Sequence, residues 1–192
     1  MKGERNHLGP AVETSIKQTN KPTKTNMNHK EINNTSSVII TFTGVHLPWG
    51  FLGNMAPYPI SYQGQVWRTS EALFQALRFD DPEIRSLIRA EKSPMAAKMK
   101  AKSFRDRMVV LPMSDADVQN MREVLGLKFD AHPEIRKKLI ASGNHLLVED
   151  VEKRNGERHL FWGMKKVNGE WIGNNMLGKL LMELRQAYSG NP

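Results

Sequence analysis

The sequence predicts an α+β fold, a helix-rich single domain with a small β-sheet that spans residues 38–190. Two short apolar stretches, at residues 38–43 and 145–150, are typical of strands. Most of the chain after residue 69 shows helical spacing, with Ser or Pro near the start of several segments. A chain of 192 residues is long enough for one such domain with a core and too short for two.

The first 37 residues have a different composition from the rest of the chain. Residues 1–37 are rich in Asn, Thr, Lys and Ser, with single apolar residues scattered among them. Such a segment buries too little apolar surface to offset the conformational entropy lost on ordering. We therefore predict a disordered tail, and the sequence leaves open whether it contacts nucleic acid or is a solvated extension.

Boundary residues divide the remaining chain into elements. Residues 44–60 form a long aromatic loop, and residues 61–67 are expected to form a hairpin that turns near Gln63-Gly64. A helix is expected to begin at Ser114, with Asp117 as its capping acid. The other predicted helices lie at 70–79, 82–90, 93–102, 132–143 and 176–188, and a turn is predicted at 153–158.

The composition favours anionic partners and excludes several kinds of site. The net charge of +8 suits nucleic acid, nucleotides or phosphates as ligands. The absence of cysteine excludes disulfides, thiolate zinc sites and a cysteine nucleophile. Because the six histidines form no cluster, we expect neither a metal nor another cofactor. No apolar run has the length of a membrane span and no apolar leader begins the chain, so we expect a soluble, cytoplasmic protein.

A polar stripe on the first helix is a candidate site. Glu71, Gln75 and Arg78 are spaced to share one face of a helix for which Ser70 is the expected N-cap. If this face lines a cleft, the arginine suits a phosphate or carboxylate. Otherwise the stripe is an ordinary solvated face. In the preceding loop, Asn54 could orient a base edge or a ribose hydroxyl, or form an Asx-turn.

The start of the last helix is a third candidate. Gly173, Asn174 and Asn175 precede that helix, and either asparagine could be its N-cap. Free N–H groups at a helix N-terminus bind anions, and Asn175 and Gly178 would face a bound group there. Because asparagine caps are common, the pattern also fits an ordinary helix start.

Several short segments carry a family resemblance. The chain contains FLGNM at 51–55, TSEALFQALRF at 69–79, SPMAAKM at 93–99, LKF at 127–129, LVE at 147–149, WG at 162–163 and GNNMLGKLLMELR at 173–185. In this order, and over residues 38–188, they resemble the NADAR family, the YbiA-like N-glycosidases. One group in that family acts on phosphoribosylamino-pyrimidine intermediates of riboflavin biosynthesis. Another resembles enzymes that remove ADP-ribose from guanine in nucleic acid.

The resemblance implies roles for individual residues. Glu71 becomes the leading catalytic carboxylate, which would stabilise an oxocarbenium-like transition state. Asn54 becomes a substrate-binding residue, and Trp162 would pack on the base or ribose. Asn175 and Gly178 would lie at the phosphate end of the substrate. Glu149 also matches a family glutamate, with its role left open between anchoring a strand and serving the active site.

The chain departs from the family pattern at three positions. Ala72 stands where the family has His, Arg78 where it has Lys, and His159 where it has Asp. A lysine could attack C1 of an opened ribose and form a Schiff base, whereas arginine stays protonated and is a poor nucleophile. His159 could move a proton near neutral pH.

These departures leave several routes open. Another lysine could serve in place of Arg78, or Glu71 could support direct hydrolysis, or the protein could be inactive. The lysines considered are Lys98, Lys128 and Lys165.

The expected function is therefore an N-glycosidase acting on a phosphoribosyl N-glycoside, such as a phosphoribosylamino-pyrimidine of the riboflavin pathway. Glu71 and His159 are the expected catalytic residues, and Gln75 and Arg78 are expected to contact substrate. The alternatives are removal of ADP-ribose from guanine by the same chemistry, a non-catalytic NAD- or ADP-ribose-binding module, or a nucleic-acid binder that uses the tail. A small phosphoribosyl or ADP-ribosyl substrate is the expected partner, with nucleic acid a candidate carrier of ADP-ribose. The sequence shows no contiguous basic stripe, which favours a small substrate.

Overall fold

The structure is a computed structural model that describes residues 38–154 and 156–190. These residues belong to one compact unit, Ser36–Pro192. The expectations for the tail at residues 1–37 lie outside the described residues.

Helices dominate the described unit. The helices are α1 (Ser70–Ala76), α2 (Pro82–Ala90), α3 (Pro94–Ser103), α4 (Asp115–Ala131), α5 (Pro133–Ala141), α6 (Glu157–Trp162) and α7 (Met176–Ser189). The strands are β1 (Ile39–Phe42), β2 (Ile60–Tyr62), β3 (Gln65–Trp67), β4 (Leu146–Glu149), β5 (Lys165–Val167) and β6 (Glu170–Ile172). This confirms the α+β class. None of the described helices has the length and apolar character that a membrane span requires.

The strands of the described residues form three separate pairs instead of one sheet. β1 and β4 are parallel, in a register that places Phe42 opposite Glu149. β2 and β3 are antiparallel, as are β5 and β6. The β2–β3 turn has positive φ at Gln63 and Gly64, as its sequence predicted. The parallel pair matters for the site because Glu149 ends the buried strand.

α1 lies in the centre of the core. All residues from 69 to 79 are buried, since α1 packs against α2, α3 and α4. Leu73, Phe74 and Phe79 are at most 3% exposed and belong to the main hydrophobic cluster. Burying each such side chain stabilises the fold by about 1.5–3 kcal/mol. The polar stripe of α1 is therefore enclosed, and the alternative of a solvated face is wrong.

The start of α1 is fixed to the preceding loop. Thr69, not Ser70, is the N-cap, since its Oγ1 accepts a hydrogen bond from the backbone N–H of Ala72 at 3.2 Å. Ser70 lies one position inside the helix, where its hydroxyl donates to the carbonyl of Asn54 at 3.0 Å. The N–H of Glu71 donates to the same carbonyl at 3.0 Å. The loop and the helix start are thus joined at Asn54.

Asn175 and Gly178, at the start of α7, both contact β4. Asn175 is left-handed, with φ of 51°, and makes no side-chain cap. Its Nδ2 donates to the carbonyl of Leu147 at 2.8 Å, and its Oδ1 accepts from the N–H of Glu149 at 3.2 Å. A Cβ on Gly178 would lie 2.2 Å from the Leu147 carbonyl oxygen. Both residues therefore hold α7 close against β4.

Two elements were missed by sequence reasoning. α6 begins at Glu157, inside the stretch predicted to be a turn, and is too short for a clear helical period. The β5–β6 hairpin turns at Asn168 and Gly169, both with positive φ. The first of these elements carries His159 and Trp162 toward the site described below.

Candidate active site

A cavity of about 360 Å³ lies beside α1. The loop after β1, the loop at residues 53–55, α3, the end of β4 and α6 form its other walls. Its volume lies in the range of small-molecule sites. Six predicted site residues line it, namely Asn54, Glu71, Gln75, Arg78, His159 and Trp162. Asn175 and Gly178 are not among its lining residues.

Glu71 is held in place by its own helix. Its side chain faces the cavity and is 6% exposed. Oε1 of Glu71 accepts a hydrogen bond from Nε2 of Gln75, one helical turn later, at 2.9 Å. The amide oxygen of Gln75 in turn accepts from Nη1 of Arg78 at 2.8 Å. Because the guanidinium can only donate, it fixes the orientation of the amide, whose NH₂ group must then point toward Glu71.

Arg78 is itself fixed by a buried ion pair. Its Nε and Nη2 donate to the two carboxylate oxygens of Asp117, on α4, at 2.8 and 2.9 Å. The side chains are 3% and 0% exposed. The guanidinium also lies 4.5 Å from the centre of the Phe74 ring. The planar guanidinium can make this two-point contact with a carboxylate, whereas the ammonium of a lysine cannot. Arginine in place of the family lysine at position 78 therefore has a structural role.

The expected start of α4 at Ser114 is confirmed, and the carboxylate of Asp117 binds the N–H one residue earlier than a capping box would place it. Ser114 is the N-cap, since its hydroxyl accepts from the N–H of Asp117 at 3.3 Å. The carboxylate of Asp117 instead binds Arg78 and accepts from the N–H of Met113 at 2.8 Å. We call Asp117, Arg78, Gln75 and Glu71, in this order, the polar chain.

A second carboxylate faces the cavity from the end of β4. Glu149 has a side chain that is 14% exposed, and its Oε1 accepts from Nη1 of Arg154 at 2.9 Å. Burial raises the pKa of Glu149; Arg154 opposes this shift, and the nearby charge of Glu71 adds to it. Two carboxylates with different surroundings therefore share the site. This settles the position of Glu149, whose role the sequence left open.

His159 lies on α6 and also lines the cavity. Burial lowers its pKa, and the positive charges of Lys98, Arg154 and Arg158 lower it further. The imidazole is therefore mainly neutral at pH 7 and can accept a proton there.

Asn54 and Trp162 supply an amide and an aromatic surface. Nδ2 of Asn54 donates to the sulfur of Met121 at 3.1 Å, and its Oδ1 has no hydrogen-bond partner among the described residues. The Trp162 ring packs edge-on against Phe74, with centroids 5.6 Å apart, and against Phe161 at 5.0 Å. Phe74 and Trp162 thus give the cavity an aromatic side.

The three lysines considered in place of Arg78 have different surroundings. Lys98, on α3, lines the cavity, whereas Lys128 and Lys165 do not. Lys128 is fully buried, and its ammonium donates to the carbonyls of Phe51 and Gly53. Burial lowers the pKa of Lys128 to about 7. Lys128 therefore supports the loop, and Lys98 is the one amine of these three that lines the cavity.

Sequence reasoning missed Asp117, Arg154 and Arg158 as site residues. One signal could have found Asp117, because it lies on the apolar stripe of α4, four residues before the buried Met121. An acid at such a position needs a buried partner. No comparable signal marks the two arginines, which reach the cavity only through the chain's path after β4.

The charge of the cavity suits a phosphorylated ligand. Four basic side chains and two carboxylates line it, the basic ones being Arg78, Lys98, Arg154 and Arg158. Among the residues that the structure describes, no group of three or more His, Asp or Glu side chains could hold a metal ion.

Comparison with known proteins gives a consistent family. The NADAR domain profile matches residues 40–188. N-glycosidase YbiA of Escherichia coli is 39% identical over 150 residues, which cover 77% of this chain and 87% of that protein. An N-glycosidase of Nostoc punctiforme is 33% identical over 77% of this chain and 90% of its own length.

A structural comparison agrees. The NMR structure of Escherichia coli YbiA superposes with a TM-score of 0.68 at 35% identity, covering 81% of this chain and 88% of that one.

A riboflavin biosynthesis protein of Vibrio vulnificus is a further sequence relative, 30% identical over 71% of this chain and 35% of its own length. From its sequence profile, its relatives and its fold, the chain belongs to the NADAR domain family.

Proposed function

We propose that the protein is an N-glycosidase that hydrolyses the bond between a base and C1 of a phosphorylated ribose. A phosphoribosylamino-pyrimidine of the riboflavin pathway is the substrate we favour for this reaction, in line with the names of its relatives. The observation that carries the proposal is the pairing of Glu71 and Glu149 in one cavity that also has an aromatic side and basic side chains.

Glu71 is the group that stabilises the transition state. Breaking the glycosidic bond leaves positive charge on C1 and the ring oxygen, and a fixed carboxylate stabilises that charge. The polar chain holds the Glu71 carboxylate before substrate binds, so little reorganisation is needed during the reaction. Arg78 thus acts through Gln75, as a positioning residue, while Gln75 contacts Glu71 directly.

Glu149 donates a proton to the leaving base, and His159 accepts a proton from water. Because burial raises the pKa of Glu149, a larger share of this carboxyl is protonated and able to give its proton to the departing base nitrogen. Neutral His159 accepts a proton from the water whose oxygen bonds to C1. The C1–N bond breaks, the C1–O bond forms, and the products are the protonated base and the phosphorylated ribose.

The remaining residues bind the substrate. The Trp162 ring offers a surface on which a flat base packs, and the amide of Asn54 can hydrogen-bond to a base edge or ribose hydroxyl. Lys98, Arg154 and Arg158 supply positive charge for the phosphate.

The test is an incubation of the full chain with a phosphoribosylamino-pyrimidine, followed by chromatography and mass spectrometry for the free base. We expect release of the base by the wild-type protein. Glu71→Gln keeps the shape of the side chain, and we expect it to lower kcat by roughly a hundredfold or more because the carboxylate charge is lost. A Glu71→Gln variant with wild-type activity would refute the role of Glu71, and substrate binding without any product would favour a non-catalytic binding module.

A further inference from the structure

One ion pair in the cavity joins a side chain proposed to bind phosphate to the side chain proposed to donate a proton. Nη1 of Arg154 donates a hydrogen bond to Oε1 of Glu149 at 2.9 Å, and both residues line the cavity. A phosphate bound at Arg154 would therefore compete with Glu149 for the same guanidinium. This competition matters for the reaction, because Glu149 must carry a proton in order to donate one.

The two partners of this pair are held to different degrees. Glu149 ends β4, where its N–H donates to Oδ1 of Asn175 at 3.2 Å and its carbonyl accepts from the N–H of Met164 at 2.8 Å. Arg154 follows a turn beyond β4, closed by a hydrogen bond from its own N–H to the carbonyl of Val151 at 2.8 Å. The Arg154 side chain is 37% exposed, against 14% for Glu149. Arg154 is thus the partner that can move.

Arg154 also differs from the other cations of the cavity. Arg78 makes a two-point contact with Asp117 and is 3% exposed, so a ligand cannot easily draw it away. Lys98 and Arg158 form no salt bridge within the described part of the chain, so a phosphate that binds them releases no carboxylate. Among the described residues, Arg154 is the one cation of the cavity that pairs with a cavity-lining carboxylate.

The surroundings of Glu149 oppose a negative charge on its carboxyl group. Burial raises the pKa of Glu149, and the carboxylate of Glu71, on α1, raises it further. Two cations act in the opposite direction, namely Arg154 and Lys98, the latter on α3. A phosphate bound between these two cations would offset the charge of both. The two effects that favour a protonated carboxyl would then remain.

Three other side chains that can carry positive charge also line the cavity. His46 lies on the loop after β1, and Arg158 and His159 lie on α6. None of the three forms a salt bridge with Glu149 in the parts of the chain that the structure describes. A bound phosphate would also favour a proton on either histidine, so a test has to separate those protons from the proton of Glu149.

We propose that Arg154 is a specificity-determining residue, which couples binding of the substrate phosphate to protonation of Glu149. In the structure Arg154 pairs with Glu149. When the phosphate of the substrate binds, Arg154 turns to the phosphate and Glu149 takes a proton from solvent. That proton passes to the base nitrogen as the C1–N bond breaks. A riboside without the phosphate leaves the ion pair intact, so it reacts slowly even where its base and ribose fit.

This inference rests on the proposed function, since it concerns how the same site selects its substrate. The test is calorimetry on the full chain with ribose 5-phosphate as the probe. Titrations at pH 7 in buffers of different ionisation enthalpy give the number of protons taken up per ligand bound. Glu149→Gln reports the uptake by all other groups, the histidines and the probe itself included. The arginine variants are Arg154→Gln and, as a control with the same charge change in the same cavity, Arg158→Gln.

We expect ribose 5-phosphate to bring at least about half a proton more to the wild type than to Glu149→Gln. Arg154→Gln should lose most of this difference, because no guanidinium leaves Glu149 when the probe binds. Arg158→Gln should bind the probe more weakly and keep the difference.

Kinetics give a second readout that loss of a phosphate contact alone would not change. The phosphoribosylamino-pyrimidine should react with a kcat at least roughly tenfold above that of its dephosphorylated riboside. In Arg154→Gln the kcat for the riboside should rise toward that for the phosphorylated substrate, since Glu149 is already free of its partner. Arg158→Gln should change KM and keep the kcat ratio.

Four results would each overturn the inference. They are equal proton uptake by the wild type and Glu149→Gln, an uptake that Arg154→Gln retains, no binding of ribose 5-phosphate, and a kcat ratio that Arg154→Gln leaves unchanged. Proton uptake requires no turnover, whereas base release tests the proposed function. Absence of base release together with the expected uptake would count against the glycosidase and leave the exchange at Arg154 standing.

Discussion

The polar chain makes a quantitative prediction for Asp117→Asn. This change keeps the size of the side chain and one acceptor oxygen, but it removes the charge that balances Arg78. Both side chains are almost completely buried, so solvent does not screen the loss. Removing one partner of a buried ion pair costs about 3–5 kcal/mol, and the retained oxygen places this variant near 3 kcal/mol. For a chain of this size, that lowers Tm by roughly 6–12 °C.

The same variant should also lose activity. Once Arg78 is free to move, the amide of Gln75 loses the donor that fixes it, and Glu71 loses a fixed partner. We expect kcat to fall by roughly ten- to a hundredfold at a temperature where the variant is still folded. Thermal unfolding followed by circular dichroism gives the stability change, and base release gives kcat.

A double variant separates the two effects. Arg78→Met/Asp117→Leu replaces the buried pair with apolar side chains, which is often neutral or stabilising. We expect the double variant to recover most of the stability that Asp117→Asn loses, yet to remain as slow as that variant. If it is stable and as fast as the wild type, the polar chain does not position Glu71, and our reasoning about the site is refuted.

Three further predictions concern other parts of the molecule. Burial raises the pKa of Glu149, and the proposed reaction uses the proton of this carboxyl. Wild-type kcat should therefore fall as the pH rises through that pKa. Glu149→Gln should react slowly and should lack this fall at alkaline pH. Burial lowers the pKa of Lys128 to about 7, so between pH 7 and about 10.5 the folded state binds fewer protons than the unfolded state, and the cost of burying the charge is full below pH 7. The free energy of unfolding, measured with urea, should therefore rise across that window by up to about 1.4 kcal/mol per pH unit. Lys128→Met should lack this rise. Gly178→Ala should destabilise the fold by about 1–3 kcal/mol, because the added Cβ meets the backbone of β4. The control is Gly126→Ala in α4, where an added Cβ meets nothing within 4 Å. This control should be neutral or stabilising by up to about 1 kcal/mol.

Local chemistry explains what the sequence could predict. The offsets of Glu71, Gln75 and Arg78 place them on one helical face, and the structure brings all three to the cavity. The helix starts at Pro82 and Pro94 and the hairpin at Gln63-Gly64 were also predicted correctly, because each depends on only a few neighbouring residues.

Long-range contacts explain what it could not predict. Whether the stripe on α1 meets solvent or a cavity depends on three helices that pack around it. The partner of Arg78 lies 39 residues away, on α4. The contacts of Asn175 are a similar case, since β4 supplies both groups that its amide binds. No spacing rule connects such positions, because tertiary packing alone brings them together.

The central place of α1 has a consequence for how the protein can change. The helix that presents Glu71 to the cavity also contributes Leu73 and Phe74 to the hydrophobic core. Residues that line the site and residues that stabilise the fold therefore lie within one turn of the same helix. A substitution there alters rate and thermal robustness together. Variants selected only for heat tolerance should therefore accumulate outside α1, while new substrate ranges should arise from cavity-lining positions outside the core, such as Lys98 on α3 and Arg158 on α6.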